Sequence, residues 1–217
     1  MKKSLLFFPF SLLILFFPSL LHGQIRTAKA FYGSDSVAAL YLGIDFTKAR
    51  LINDANSNPR EIQYVQFDAI NDLMVSQSKK YDIKNAYHRI QWSVDLSAVR
   101  NRNEKTSPDQ LRSSNDNDLM RLQPSDIDEL VQSFDFGTHD GYGILLIVEG
   151  MSKTAKKITI WFTLIDLGAR KVLSTARVEG KLGSGFGFRN YWASAIKNAI
   201  GQVKRDEYEQ WKTAAGD

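Results

Sequence analysis

Residues 143–149 (GILLIVE), 157–167 (KITIWFTLIDL) and 172–180 (VLSTARVEG) are three apolar runs separated by 152–156 (SKTAK) and 168–171 (GARK). Each run has the length of a strand, is rich in Ile, Val, Leu and Thr, and is bounded by turn-forming residues. Connections this short join antiparallel neighbours, because a parallel return needs a longer crossover. A three-strand meander is therefore expected here. Side chains alternate between the two faces of a strand. In the second run Ile158, Ile160, Phe162 and Leu164 share one face, and Thr159, Trp161, Thr163 and Ile165 share the other. In the third, Val172, Ala176 and Val178 are assigned to one face and Thr175, Arg177 and Glu179 to the other. One face is then continuously apolar and should carry helices. The other mixes Trp161 and Ile165 with Thr, Arg and Glu.

Upstream, 36–47 (SVAALYLGIDFT) reads as a strand and 53–59 (NDANSNP) as a loop. Pro59 suits the first turn of a helix. From there Ile62, Val65, Ala69, Ile70, Leu73 and Met74 recur at helical spacing. Residues 79–89 show no decided period, and 92–99 (WSVDLSAV) fits either a strand or a helix. The most polar stretch, 101–117, reads as a surface excursion around 101–121. Ser125 to Asp128 has capping-box character, with an acid in place of the usual Glu, and Ile127, Leu130, Val131 and Phe134 follow on one helix face. After Gly187, residues 191–211 form a long helix with Trp192, Ala195, Ile196, Ala199 and Val203 aligned. The order is β-α-x-α-β-β-β-α. The expected fold class is α/β (α+β): a two-layer sandwich, with a mixed, mostly antiparallel sheet and helices on one face.

The chain opens Met1-Lys2-Lys3, runs almost without polar residues over 4–21, and reaches His22-Gly23-Gln24. A basic start, an apolar run and a small residue before polar chain mark a secretory signal peptide. Pro9 and Pro18 disfavour a regular membrane-spanning helix. Cleavage is expected near Gly23, leaving 24–217 as a single α/β domain in the periplasm or outside the cell, without a stable membrane anchor. Removing 23 of the 217 residues leaves 194 and takes Lys2 and Lys3, so the formal charge falls from +4 to +2. The remaining basic residues alternate with acids, as in Lys204-Arg205-Asp206-Glu207, which is not the clustered face a nucleic acid needs. A hydrophobic fraction of 43% and a charged fraction of 24% exclude a wholly disordered chain, a collagen and a polytopic membrane protein. Zero Cys excludes a disulfide scaffold, a zinc ribbon, thiol catalysis and lipid attachment of the bacterial lipoprotein kind.

A half-polar sheet face bearing an aromatic suits a partner surface, which makes Trp161, Thr163 and Arg177 the first binding candidates. Arg189 and Asn190, at the start of the last helix, are candidates for further surface contact. Gly183, Ser184, Gly185 and Gly187 form a glycine-rich turn feeding a helix N-terminus, an arrangement that can present N–H groups to an anion. The turn lacks the Lys-Ser/Thr pair of a nucleotide loop and the GxGxxG spacing. Ser184 is not in a hydrolase elbow, because position 182 is Leu. Asp135-Phe-Gly137 matches the kinase metal-binding triplet in letters only, since no other kinase motif precedes it. His88 and His139 have no ligand spacing, so no metal site and no cofactor are expected. Asp45, Glu149 and Asp166 lie on expected strands and leave open a carboxylate hydrolase.

The run from 143 to 196 resembles the periplasmic domain of the curli-secretion lipoprotein and that of the outer-membrane activators of penicillin-binding proteins. The resemblance rests on Asp166 at a strand end, Gly168 in the turn, Lys171-Val-Leu-Ser174, the glycines from 183 to 187 and the terminal helix. It covers about a third of the chain. The lipid-bearing Cys of that group is absent here, and the polar middle is long. The whole chain is also similar to an uncharacterised secreted family of Gram-negative bacteria, through GIDFTKARLI, KKYDIKNAYH and GFGFRNYWA. The first resemblance implies a non-enzymatic role in the cell envelope with a protein partner. An anion or small-molecule module using the 183–187 turn is the alternative, and a carboxylate hydrolase the third reading.

Overall fold

The computed structural model describes residues 25–216, so the expected leader lies outside the described residues. Seven strands form one sheet: β1 (Ala39–Asp45), β2 (Arg50–Ile52), β3 (Trp92–Val94), β4 (Arg112–Ser113), β5 (Tyr142–Ser152), β6 (Lys157–Asp166) and β7 (Lys171–Lys181). β5 pairs antiparallel with β6 along its whole length, from Tyr142 against Asp166 to Ser152 against Lys157. Its other edge takes β1 and then β2, both parallel, with Ala39 opposite Tyr142 and Arg50 opposite Gly150. β1 and β2 are thus two halves of one strand line, broken by residues 46–49. β3 pairs outside β1 and β4 outside β2, again parallel. Across the sheet the order is β3/β4, β1/β2, β5, β6, β7.

The meander has the expected hairpins, whose turns place Lys156 and Arg170 at positive φ. The sheet as a whole is not mostly antiparallel, because four of its six pairings are parallel. Three of those four involve strands of two or three residues, too short to leave a period in the sequence.

Helices pack on both faces, which corrects the expected two-layer sandwich to three layers. The helices include α1 (Ala28–Tyr32), α2 (Phe67–Ser76), α3 (Ile83–Ala86), α4 (Ser97–Asn103), α5 (Pro124–Gln132), α6 (Gly187–Gln202) and α7 (Tyr208–Gly216). On one face Ile144, Leu146, Ile160 and Phe162 meet Phe67 and Ile70 of α2 and Trp192 and Ile196 of α6. On the other, Leu145, Ile147, Trp161 and Ile165 meet Val99 of α4, Ile127 and Val131 of α5, and Phe134. The reason is the direction of the crossovers. The connection from β1/β2 to β3 runs toward the outer edge and carries α2; that from β4 to β5 runs back inward and carries α5. Parallel crossovers share one hand, so connections of opposite direction put their helices on opposite faces.

Local details moved several expected residues. Asn58 caps the helical segment that begins at Pro59, accepting from the Arg60 N–H at 3.1 Å. A π turn over Ile62–Gln66 then inserts an extra residue, so the expected core residue Val65 is 54% exposed while Phe67 is buried. α5 starts before the expected Ser125 box: the Gln123 N–H donates to the Asp126 carboxylate at 2.6 Å. A bulge between Leu164 and Ile165 shifts the β6–β7 register, so Val172 joins the α5 face while Val178 stays on the α6 face. The polar excursion is partly built into the sheet. It supplies β4, and Leu111 and Leu119 are buried.

The last helix matches its expected face: Trp192, Ala195, Ile196, Ala199 and Val203 are all buried. It runs to Gln202 and continues through a second π turn into α7. α6 lies so close to β7 that a Cβ at Gly180 would overlap the main-chain carbonyl of Ala195. Gly180→Ala should therefore cost about 1–3 kcal/mol, read as a lower midpoint in urea at unchanged slope.

Candidate functional site

The mixed face expected to be open is closed. Trp161 is 4% exposed and Thr163 fully buried. The centre of this face is Glu149, a fully buried carboxylate. It accepts from the Leu122 N–H at 2.5 Å, from Trp161 Nε1 at 3.0 Å and from Arg177 Nε at 2.7 Å. The Arg177 guanidinium also lies 4.6 Å from the centre of the Trp161 ring and donates to the Leu122 carbonyl. Thr163 and Thr175 share a hydroxyl hydrogen bond of 2.9 Å. These side chains satisfy one another and fasten the segment before α5 to the sheet. The reading of Trp161, Thr163 and Arg177 as an open contact surface is thereby corrected. Arg177, one of the residues that made this face look wet, neutralises a buried acid, and the threonines bond within the fold.

Arg189 and Asn190 are exposed on the first turn of α6, where the Asn190 amide donates to the Phe186 carbonyl at 3.1 Å. In the glycine turn, Gly183, Ser184, Gly185 and Gly187 are all exposed. The Gly183 N–H donates to Ser194 Oγ at 3.0 Å, and Gly187 takes a φ of 76°. Phe186 projects from this turn, 95% exposed, while Phe188 packs beside Trp192. The three strand carboxylates are engaged by separate arginines: Glu149 by Arg177, Asp45 by Arg102 at 3.1 Å and Asp166 by Arg26 at 3.2 Å. His139 Nε2 lies 2.7 Å from Asp95 Oδ2, and His88 stacks on Tyr208. Among the described residues no group of three or more His, Asp or Glu is placed to hold a metal.

An unpaired surface lies at the outer edge of β3. Gln91 O accepts from the Ala39 N–H at 3.2 Å, and the Asp95 N–H donates to Tyr41 O at 3.0 Å. Gln91, Ser93 and Asp95 therefore turn their main-chain groups toward β1, and the alternation turns those of Trp92 and Val94 outward. Among the described residues no strand pairs with that edge. The side chains of Trp92 and Val94 lie on the α2 face, because Val94 sits opposite Tyr41 in the register. There they border a cavity of about 430 Å³ shared with Tyr41, Met74, Val75, Tyr81 and Ile83. Tyr41 stacks on Trp92 with ring centres 5.8 Å apart. Val75 and Val94 expose apolar surface at the mouth.

Among the polar residues of this cavity, Ser78, Lys79, Asp82, Lys84 and Asn85, the lysines outnumber the acid. The Tyr41 hydroxyl is buried and has no hydrogen-bond partner. Burial pushes its pKa well above that of an ordinary phenol, so it stays a neutral donor. Lys79 and Lys84 line the rim, and Lys80 lies over the Tyr81 ring at 5.0 Å. Asp82 is the one acid in the wall. It caps α3 through the Asn85 N–H at 3.2 Å and is approached by Lys204 at 3.8 Å. A second hollow, of about 420 Å³, mixes Lys48, Arg102 and Arg121 with Asp126 and Glu129, and so presents no single sign of charge. The β3 cavity was not singled out in the sequence. Its one signal is that Trp92 and Val94 alternate with Gln91, Ser93 and Asp95.

The chain matches no family model and no curated protein. Solved structures similar to it include a Xanthomonas campestris protein of the DUF330 family, at 10% identity and a TM-score of 0.33, covering 83% of this chain and 84% of that one. Another is lipoprotein GNA1162 from Neisseria meningitidis, at 15% identity and a TM-score of 0.31, covering 78% and 98%. A third is the LpoB C-terminal domain from Salmonella enterica, at 7% identity and a TM-score of 0.25, covering 71% and 96%. These are distant likenesses, and no residue role passes from them to this chain.

Substitutions around Glu149 and at Asp95 test the electrostatics. Arg177→Ala leaves the Glu149 carboxylate buried without its cation and should cost about 3–5 kcal/mol in denaturant unfolding; Arg177→Met combined with Glu149→Gln should recover part of the loss. Asp95 is held down at about 2, first by the Ser97 N–H and then by the Ser97 hydroxyl and His139. A lowered carboxylate pKa stabilises the fold above the ordinary value of 3.8, and the contribution is lost as pH falls toward 2. Asp95→Asn should therefore melt below wild type at pH 7, with the gap closing by pH 2 in a thermal series.

Proposed function

We propose that the protein is a non-enzymatic interaction module of the cell envelope, exported by the leader read in residues 1–23, and that it makes its contact along β3. The observation that carries this reading is an uncharged edge strand whose two outward apolar residues open onto a cavity with a cationic rim. The edge strands β3 and β7 differ in a way that favours β3. β7 is long but carries the exposed Lys171, Glu179 and Lys181, charges of the kind that keep an edge from pairing. β3 is Trp92-Ser93-Val94, with no charge and with apolar surface beside it. Unpaired main-chain groups next to exposed apolar side chains mark a protein-contact surface.

Photo-crosslinking in the producing cell tests the contact. A photoreactive residue replacing Val94 should give a discrete protein adduct in the periplasmic or envelope fraction, and one replacing Arg189 should not. Adducts at Arg189 but not at Val94 would move the contact to the start of α6. Recovery of the protein only from the cytosol would remove the envelope reading.

A further inference from the structure

Resting on that reading, we propose that the occupant of the β3 edge is an extended peptide segment of a partner protein. It joins the sheet as an added strand, carries apolar side chains at every second position and has an acidic residue in its flank.

Three features fit that occupant together. The first is the backbone. Trp92 and Val94 turn two N–H and two C=O groups outward at strand spacing, and a strand is the partner whose own groups match that row. The second is the side-chain pattern. Residues opposite each other in neighbouring strands project to the same face. Those set against Trp92 and Val94 would hang over the same cavity as Tyr41. A cavity of about 430 Å³ accepts apolar side chains there, while the intervening residues face away. The Tyr41 side chain, stacked on Trp92, forms part of the wall beneath those apolar side chains. The third is charge. Lys79, Lys80 and Lys84 are exposed and form no ion pair among the described residues, while Asp82 is taken up by the α3 cap and Lys204. The rim therefore favours an acidic flank and repels a basic one.

A small amphiphile such as a fatty acid would use the cavity and the lysines but not the backbone row, and the experiment separates the two. The probes are fluorescein-labelled nine-residue peptides with Val, Leu or Phe alternating with Thr between terminal Glu residues, titrated against the mature chain, 24–217, by anisotropy. Saturable binding is expected, at least tenfold weaker when the Glu residues are replaced by Lys. It should also weaken at least tenfold in the exposed-site double variant Lys79→Glu/Lys84→Glu, whose melting should match wild type. N-methylation of alternate amides should abolish binding for one set and spare the other, since only one edge of the peptide meets β3. The sensitive set also reports direction, because in an antiparallel pair the residues opposite Trp92 and Val94 exchange both hydrogen bonds.

Equal binding by both N-methylated sets would overturn strand addition. Binding of dodecanoate with none of the peptides would do the same and assign the cavity to an amphiphile. Failure of every peptide alongside a discrete Val94 adduct in cells would remove the peptide and keep the broader contact. Failure of the adduct as well would remove both.

Discussion

A strand that is apolar on both faces has to be covered twice, and β5 sets that demand for the whole molecule. Every residue from Gly143 to Ser152 is buried. It has β6 along one edge and the β1/β2 line along the other. Its two faces enter two separate cores, one under α2 and α6 and one under α4 and α5. The crossover directions meet the demand, because chain that travels outward and then inward across parallel strands leaves helices on both sides. The single acid within the strand, Glu149, is tolerated because Arg177, the Trp161 indole and the Leu122 amide converge on it.

Covering both faces leaves the edges as the places where the sheet can meet another molecule. At β7 the exposed edge is interrupted by charge. At β3 the strand ends after three residues, α4 leaves on one face, and the connection from α2 to α3 passes beside the other. The cavity is the gap between that connection and the strand. Its apolar floor and lysine rim follow from this placement: residues 74–84 supply both the Met74, Tyr81 and Ile83 walls and the exposed lysines.

The meander was legible because β6 and β7 are runs of ten and eleven residues, rich in Ile, Val, Leu and Thr and bounded by turn-forming residues. The second layer of helices was legible in part. GILLIVE does not alternate, and an unbroken apolar run is the mark of a strand buried on both faces. The neighbouring strands obscured it, because Thr163, Thr175 and Arg177 look wet in sequence and are satisfied by cross-strand partners in the fold. The parallel pairings were not legible: β2, β3 and β4 have two or three residues each, and their partners are chosen by crossovers rather than by local pattern. Val65 was misplaced by a π turn that no composition signal announces. The site escaped for the same reason as β3. A three-residue strand and the four-residue α3 are too short for a period to emerge.

Residue-resolved amide hydrogen exchange on the free protein tests the account most directly. The account predicts that the Trp92 and Val94 amides exchange at rates near those of open loops, while the β5 amides from Ile144 to Val148 are among the slowest in the chain. Protection of Trp92 and Val94 equal to that of β5 would mean the edge is already covered, and would contradict it.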